Sequence, residues 1–355
     1  PTAPCIRGLS RTLALGWLLV VAVSLAVFIL FPRNVGADSF GRWGNAAVGM
    51  QTGFNDEVQL GEPGLISTSS APVLDLTVRS TDGRILGAPE ETYYLRGAVL
   101  DSYRNGRWTA SDSSRQRIHD LSAGLDFGFT TGRAGAGRGQ NTLIELDVMI
   151  RNARTEGYHL FTVWRPRSIE FESRAVIRYG DDNGIVTRDG QSGRVRYTVV
   201  CEPVEAAVAI PEGRLRTPVS HDSPPIAALA GEILRGAGLD PDPATRPIED
   251  DAAAAAAIER YFDTGFEYTL DISSPSDNRD PIEWFLLEEK RGHCEYYASA
   301  MVALCRTVGI NSRVVTGFVA TEFNDATRHY VVRESNAHAW VEVEVVPPRP
   351  VDRPA

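Results

Sequence analysis

Residues 12–31 read TLALGWLLVVAVSLAVFILF, twenty positions without an ionisable side chain. A helix of about 20 residues spans the roughly 30 Å hydrocarbon layer of a bilayer. The run therefore predicts a transmembrane helix over 12–32, behind an N-terminal tail at 1–11. A cleaved signal peptide would have an apolar core of about 7–15 residues and then a small-residue cleavage motif. This run is longer and ends in Phe31-Pro32-Arg33-Asn34. Arg7 and Arg11 before it, against Arg33 after it, favour the N-terminus inside.

Residues 33–70 are rich in Gly, Ser and Asn with little periodicity and read as an irregular stalk. From 71 the period becomes two, as in Val73-Leu74-Asp75-Leu76-Thr77-Val78-Arg79. Further strands are predicted at 93–100, 142–151, 158–164, 174–180 and 194–201. Asn105-Gly106 between the aromatics Tyr103 and Trp108 predicts a hairpin turn. With no helical stripe among them, residues 71–210 read as an all-β sandwich-like domain. The glycine-rich stretch 130–140 lacks a βαβ context and the Lys-Ser/Thr pair of a phosphate loop, and reads as a hairpin loop.

A proline-rich linker follows at 211–224, and then the period turns helical. Helices are predicted at 226–235, 247–262, 281–290 and 294–308. The acidic Glu249-Asp250-Asp251 and the basic Arg260 suit the two ends of the second helix. Gly309 reads as the residue just past the last one. Strands are predicted at 312–321, 329–334 and 338–346. Helices followed by antiparallel strands make an α+β domain over 225–346, with a Pro-rich tail at 347–355.

Charge and cysteine content narrow the function. The 46 acidic against 36 basic side chains, with no dense basic block, argue against a nucleic-acid partner. Cys5, Cys201, Cys294 and Cys305 lie far apart in no zinc-ligand spacing, so no metal or cofactor is expected. They are too few for a disulfide framework, although one disulfide stays open. The 355 residues exceed one typical domain, and a chain beginning at Pro1 reads as part of a longer product.

The chemistry gathers at Arg291-Gly292-His293-Cys294-Glu295-Tyr296-Tyr297-Ala298. Gly292 permits a tight turn, and Cys294 then opens a helix. Unpaired N–H groups and the positive dipole end are expected to lower its thiol pKa and to hold an oxyanion. Cys305, in the apolar run Met301-Val302-Ala303-Leu304, reads as core. The base is expected in Asn336-Ala337-His338-Ala339-Trp340-Val341-Glu342-Val343. His338 opens a strand there, sharing a face with Trp340 and Glu342. A Cys–His pair can deprotonate the thiol and then protonate a leaving amine. His293 reads as a surface residue or a gate, and His329 lacks the Ala-Trp context of a base. His119, His159 and His221 lie outside this domain.

Arg291-Gly292-x-Cys294-x-Tyr296, the run Gly309-Ile310-x-x-Arg313-Val314-Val315-x-Gly317-Phe318, and Asn336-Ala337-His338-Ala339-Trp340 together resemble the bacterial transglutaminase-like superfamily. The resemblance is to its membrane-anchored, protein-glutamine gamma-glutamyltransferase-like branch. Residues 94–108 resemble the region before the catalytic core of that branch. The resemblance implies a papain-like core of helices packed on an antiparallel sheet, outside the plasma membrane. It implies a Cys-His-Asp triad forming a thioester from glutamine and passing it to an amine or to water. Cys294 and His338 map onto the first two members. Asp352 is the candidate third member, near the expected offset but without the family's Asp-Pro surroundings. A protein or peptide substrate, such as one of the cell envelope, would suit that location. The other function class that stays open is a catalytically inactive binding module lacking the orienting Asp.

Overall fold

The computed structural model describes Phe54 and residues 56–61, 69–111, 116–121, 125–126, 143–153, 158–163, 166–172, 175–180, 186–189, 193–202, 223–271, 275 and 279–346. All belong to one compact unit, Gln51–Ala355. The apolar run 12–31, the loop 130–140, most of the linker and Asp352 lie outside the described residues. No helix among the described residues is long and apolar enough to cross a membrane.

The chain opens with β1 (Val58–Gln59), β2 (Pro72–Ser80) and β3 (Tyr93–Leu100). The hairpin β4 (Ser102–Arg104) and β5 (Arg107–Thr109) turns at Asn105 and Gly106, both at positive φ (49° and 81°). That geometry matches the right-handed twist of paired strands, and Asn-Gly tolerates it. Next come β6 (Gln116–Leu121), β7 (Leu125–Asp126), β8 (Ile144–Ala153), β9 (Tyr158–Leu160) and β10 (Pro166–Phe171). The strands β11 (Ala175–Gly180), β12 (Val186–Asp189) and β13 (Gly193–Cys201) complete this half.

The second half starts with α1 (Pro224–Gly236), capped by the Ser223 hydroxyl accepting from the Ile226 N–H, with Pro224 in its first turn. It continues with α2 (Asp251–Tyr261), β14 (Glu267–Tyr268), α3 (Pro281–Trp284), a wider turn over Phe285–Glu289, β15 (Arg291–Gly292) and α4 (Cys294–Thr307). Gly309 (φ 78°) ends α4: its N–H bonds Arg306 O and the Ile310 N–H bonds Cys305 O. Both are the bonds of a Schellman cap. The strands β16 (Ser312–Ala320), β17 (Phe323–Asn324), β18 (His329–Arg333) and β19 (Ala337–Val343) close the fold.

Strands on either side of the linker share sheets. A seven-stranded sheet runs β17-β18-β2-β8-β13-β10-β7, and a three-stranded one runs β19-β16-β3. The boundary drawn at 211–224 therefore does not divide the hydrogen bonding: β2 pairs with β18, and β3 with β16. Alternation along each strand reveals which face is buried but not which strand it meets. The further strands β6, β7, β10 and β12 were not expected.

The stalk expectation also needs correction. Val58 and Leu60 are fully buried, and Phe54 packs edge-on against Phe161 at 5.2 Å. Gly97 makes room for it, since a Cβ there would overlap the Phe54 ring. Three isolated apolar residues in a polar stretch carry no periodic signal, so the pattern hides them. His159 is tied into the same place, its Nδ1 2.9 Å from Gly97 O.

Two buried arginines hold the helices. Arg246 pairs with Asp251 at the start of α2 (2.8 Å) and donates to Val308 O at the end of α4 (2.7 Å). Arg306 donates twice to Ser312 O and lies over the Trp108 ring. Breaking a buried pair such as Arg246–Asp251 costs about 3–5 kcal/mol, so these contacts tie α2, α4 and the start of β16 together.

Candidate active site

Cys294 is the first residue of α4, after His293 in extended conformation (φ −102°, ψ −178°). Gly292 has no positive φ; the left-handed residue of the turn is Lys290 (φ 54°). Gly292 is needed instead because a Cβ there would press on the Phe285 ring and on Tyr296. The first turn of α4 is tied to the N-terminal segment, where the Gly61 N–H donates to the Tyr296 hydroxyl (2.9 Å). Tyr103 of β4 donates to Asp280 Oδ2 (2.8 Å), and Asp280 Oδ1 caps α3.

The α4 helix packs along β19. The Cys294 thiol lies beside the backbone N–H of Ala339, the residue after His338, which favours the thiolate. The structure thus brings the thiol to the strand that carries the imidazole, from 44 residues away. His338 pairs across the sheet with Gly317 of β16. Among the described residues no carboxylate is hydrogen-bonded to the His338 ring. Glu342, four residues on, is already engaged by Arg96 (2.5 and 2.9 Å) and Arg313 (3.1 Å). Burial alone would raise its pKa, but the two guanidiniums outweigh that and hold it below the usual carboxylate range. Asp352 lies outside the described residues.

The electrostatics correct the expectation of a thiolate. Cys294 is 5% exposed. Burial pushes its thiol up to about 11, and the nearby Glu295 carboxylate adds to the rise. The Ala339 N–H, the Tyr268 hydroxyl and the helix N–H of Glu295 pull the other way without compensating. Desolvation of the charged form exceeds what one helix terminus supplies. Burial lowers the His338 pKa as well. Burial thus favours the neutral form of each group.

Because this thiol titrates near 11, its alkylation by iodoacetamide is expected to speed up about tenfold per pH unit between pH 7 and 9. Mass-spectrometric labelling rates would check this. A plateau beginning near neutrality would mean a thiolate–imidazolium pair instead.

His293 is not a surface residue. It is 1% exposed, both ring nitrogens lack a hydrogen-bond partner among the described residues, and burial lowers its pKa to about 4. Glu295 Oε2 is 3.9 Å from its Nδ1, and burial pushes that carboxyl up to about 7. Cys305 is fully buried in the helical core, as expected. His329 begins β18 beside Asp75 (3.6 Å), away from β19's partner strands. Cys201, Cys294 and Cys305 are unpaired thiols. Among the described residues no group of three or more His, Cys, Asp or Glu could hold a metal ion.

Tyr268 is the site residue that the sequence reading missed. It sits in β14, between two predicted helices, in a stretch without periodicity. Its hydroxyl faces the Cys294 sulfur and the Cys294 N–H. Only the pairing of β14 with β15 puts it there.

Family models match both halves of the chain. One, described as the transglutaminase-like superfamily, covers residues 241–349. Another, described as the TgpA N-terminal domain, covers residues 3–206, more than half of the chain. This chain belongs to the TgpA branch of the transglutaminase-like superfamily. A protein-glutamine gamma-glutamyltransferase of Pseudomonas aeruginosa is 27% identical over 92% of this chain. The match spans 44% of that relative, less than half its length. The uncharacterized protein YebA of Bacillus subtilis is 39% identical over 24% of this chain and 13% of its own. The crystal structure of the periplasmic domain of TgpA from Pseudomonas aeruginosa superposes with a TM-score of 0.57 at 23% identity. That superposition covers 82% of this chain and 90% of the other, and establishes the transglutaminase-like fold.

Proposed function

We propose that this chain is a cysteine acyl-transfer enzyme of transglutaminase type, with Cys294 as nucleophile and His338 as base. The observation that carries the reading is Cys294 as the first residue of a helix that packs on the strand bearing His338, its thiol beside the N–H that follows that histidine. The curated relative named a protein-glutamine gamma-glutamyltransferase supports glutamine as the acyl donor.

The thiol attacks the side-chain carbonyl carbon of a glutamine while His338 takes its proton. Neutral partners suit this route, because no charge separation has to be held in the buried resting state. The tetrahedral adduct collapses, the C–N bond breaks, and ammonia leaves with the proton from His338. An amine then attacks the thioester to give a cross-link, or water gives the acid. Asp352 is the proposed orienting carboxylate that would fix the His338 tautomer. We further propose that residues 12–31 tether the enzyme to the plasma membrane. The periplasmic-domain neighbour supports an extracytoplasmic site, and the proposed substrate is a protein or peptide such as one of the cell envelope.

The test uses the full chain with a glutamine peptide and a primary amine. Ammonia release and amine incorporation are expected, and both should stop in step with carboxamidomethylation of Cys294. Turnover that persists once Cys294 is fully alkylated would refute the nucleophile. Complete absence of turnover with any glutamine peptide would favour the inactive binding module.

A further inference from the structure

Strand β19 passes from one hydrophobic core to the other at His338. Ala337, the residue before it, packs in the sheet core with Phe318 and Leu95. Ala339, the residue after it, packs in the helical core with Cys294 and Tyr296. The way these two cores sit against each other therefore sets where the imidazole stands relative to the thiol.

Phe54 packs against both cores. Its ring lies 5.2 Å from Phe161 and 6.1 Å from Phe318, the neighbour of the residue that faces His338 across the sheet. Two residues on, Asp56 Oδ2 lies 3.6 Å from Nε2 of His159, the side chain already tied to Gly97 O. Val58 pairs with Trp108 of β5, and the Leu60 N–H donates to Gly106 O (2.8 Å). The chain then turns at Gly61 (φ 86°), whose N–H donates to the Tyr296 hydroxyl (2.9 Å). Tyr296 is 1% exposed and stands two residues past Cys294, in the first turn of α4. Its ring is held by Phe285 (5.5 Å) and His293 (5.3 Å). The segment from Phe54 to Gly61 thus runs from the core junction at His338 to the helix turn that carries the thiol. A phenylalanine at 296 would fill nearly the same volume with no polar atom to satisfy. The tyrosine adds one hydrogen bond, and that bond joins positions 235 residues apart.

We propose that the segment from Phe54 to Gly61 is a strap that positions the catalytic pair, with Phe54 and Tyr296 as its two anchors. Phe54 fixes the junction of the cores at His338. Tyr296, through the Gly61 N–H, fixes the first turn of α4 and so the thiol. Both are positioning residues, acting through the placement of other side chains. This inference rests on Cys294 and His338 being the reacting pair. A misplacement of about 1 Å between reacting groups can cost roughly 100-fold in rate, so a loosened anchor is felt in the chemistry before it is felt in the fold.

The test uses the full chain and dibromoacetone with one bromine on each methyl carbon. The thiol displaces one bromide and a neighbouring imidazole nitrogen the other, so the reagent bridges the two side chains only where they stand together. Digestion and mass spectrometry then compare bridged Cys294–His338 with Cys294 alkylated alone. Phe54→Ala and Tyr296→Phe are set against wild type and against Val195→Ala, a core truncation on β13, which pairs with neither β16 nor β19. All are measured well below their melting temperatures. Wild type and Val195→Ala are expected to bridge. Each strap variant is expected to bridge at least about fivefold less, and to lose between about 10- and 100-fold in kcat for amine incorporation with KM changed less than about threefold. Strap variants that bridge as well as wild type would overturn the proposal and leave the Cys294–His338 pair standing. An equal loss of bridging in Val195→Ala would overturn it too, by assigning the effect to general loosening of the core. If wild type itself formed no bridge, the pairing of Cys294 with His338 would fail, and the strap inference with it.

Discussion

Replacing Cys294 by Ala is expected to reduce amine incorporation by roughly 10⁴-fold or more, to the level of the uncatalysed background. The size follows from what is left behind. The Ala339 N–H, the Tyr268 hydroxyl and the first amides of α4 still face the site, but no atom there can form a thioester. Oriented donors without a nucleophile give weak catalysis at best. The fold should survive, because the lost sulfur is one atom at the edge of the helical core and a buried Ala suits a helix start that His293 and Tyr296 already fix. Unchanged far-UV circular dichroism together with lost turnover is the expected pair of results. Activity within about tenfold of wild type would remove Cys294 from the mechanism.

The second large effect concerns the sheet beneath His338. Gly317→Ala is expected to cost about 3 kcal/mol of stability and to lower the melting temperature by roughly 10 °C. A Cβ at 317 would overlap the carbonyl oxygen of Leu95, a backbone atom of β3 that cannot rotate away, and would press on the Trp340 ring. The strands β3 and β16 already shift register between Thr316 and Gly317 to achieve this approach. Separating them would also displace β19, since Gly317 faces His338 across the sheet. Activity should therefore fall with stability. The matched control is Gly236→Ala at the end of α1, where a Cβ meets nothing within 4 Å. Calorimetry of both variants checks the prediction, and equal melting temperatures would refute it.

Local signals in the chain located most elements. The Asn105-Gly106 hairpin, the Gly309 helix stop and the helix beginning at Cys294 all depend on residues within a turn of one another, and each is found where expected. Non-local facts were hidden. Nothing near Tyr268 announces that two residues will pair beside Gly292. Nothing near Phe54 announces that Gly97 leaves a socket for it. The thiol pKa went astray for a related reason. A helix start can be read from sequence, but the depth at which it is buried is set by β19 and β14, which arrive from elsewhere. Cys294 and His338 stand out as candidates because their surroundings are distinctive, and the alternation of β19 followed from its own residues.

The sharing of sheets across the linker bears on how the molecule is put together. During synthesis β2 and β3 leave the ribosome long before β16 and β18 exist, so β2 lacks one of its two neighbours and β3 its ladder partner until then. The later strands complete sheets whose other members are already synthesised. The N-terminal half thus serves as a template on which the reactive half completes itself, and gene fusions that carried the second half alone would leave those strands without neighbours.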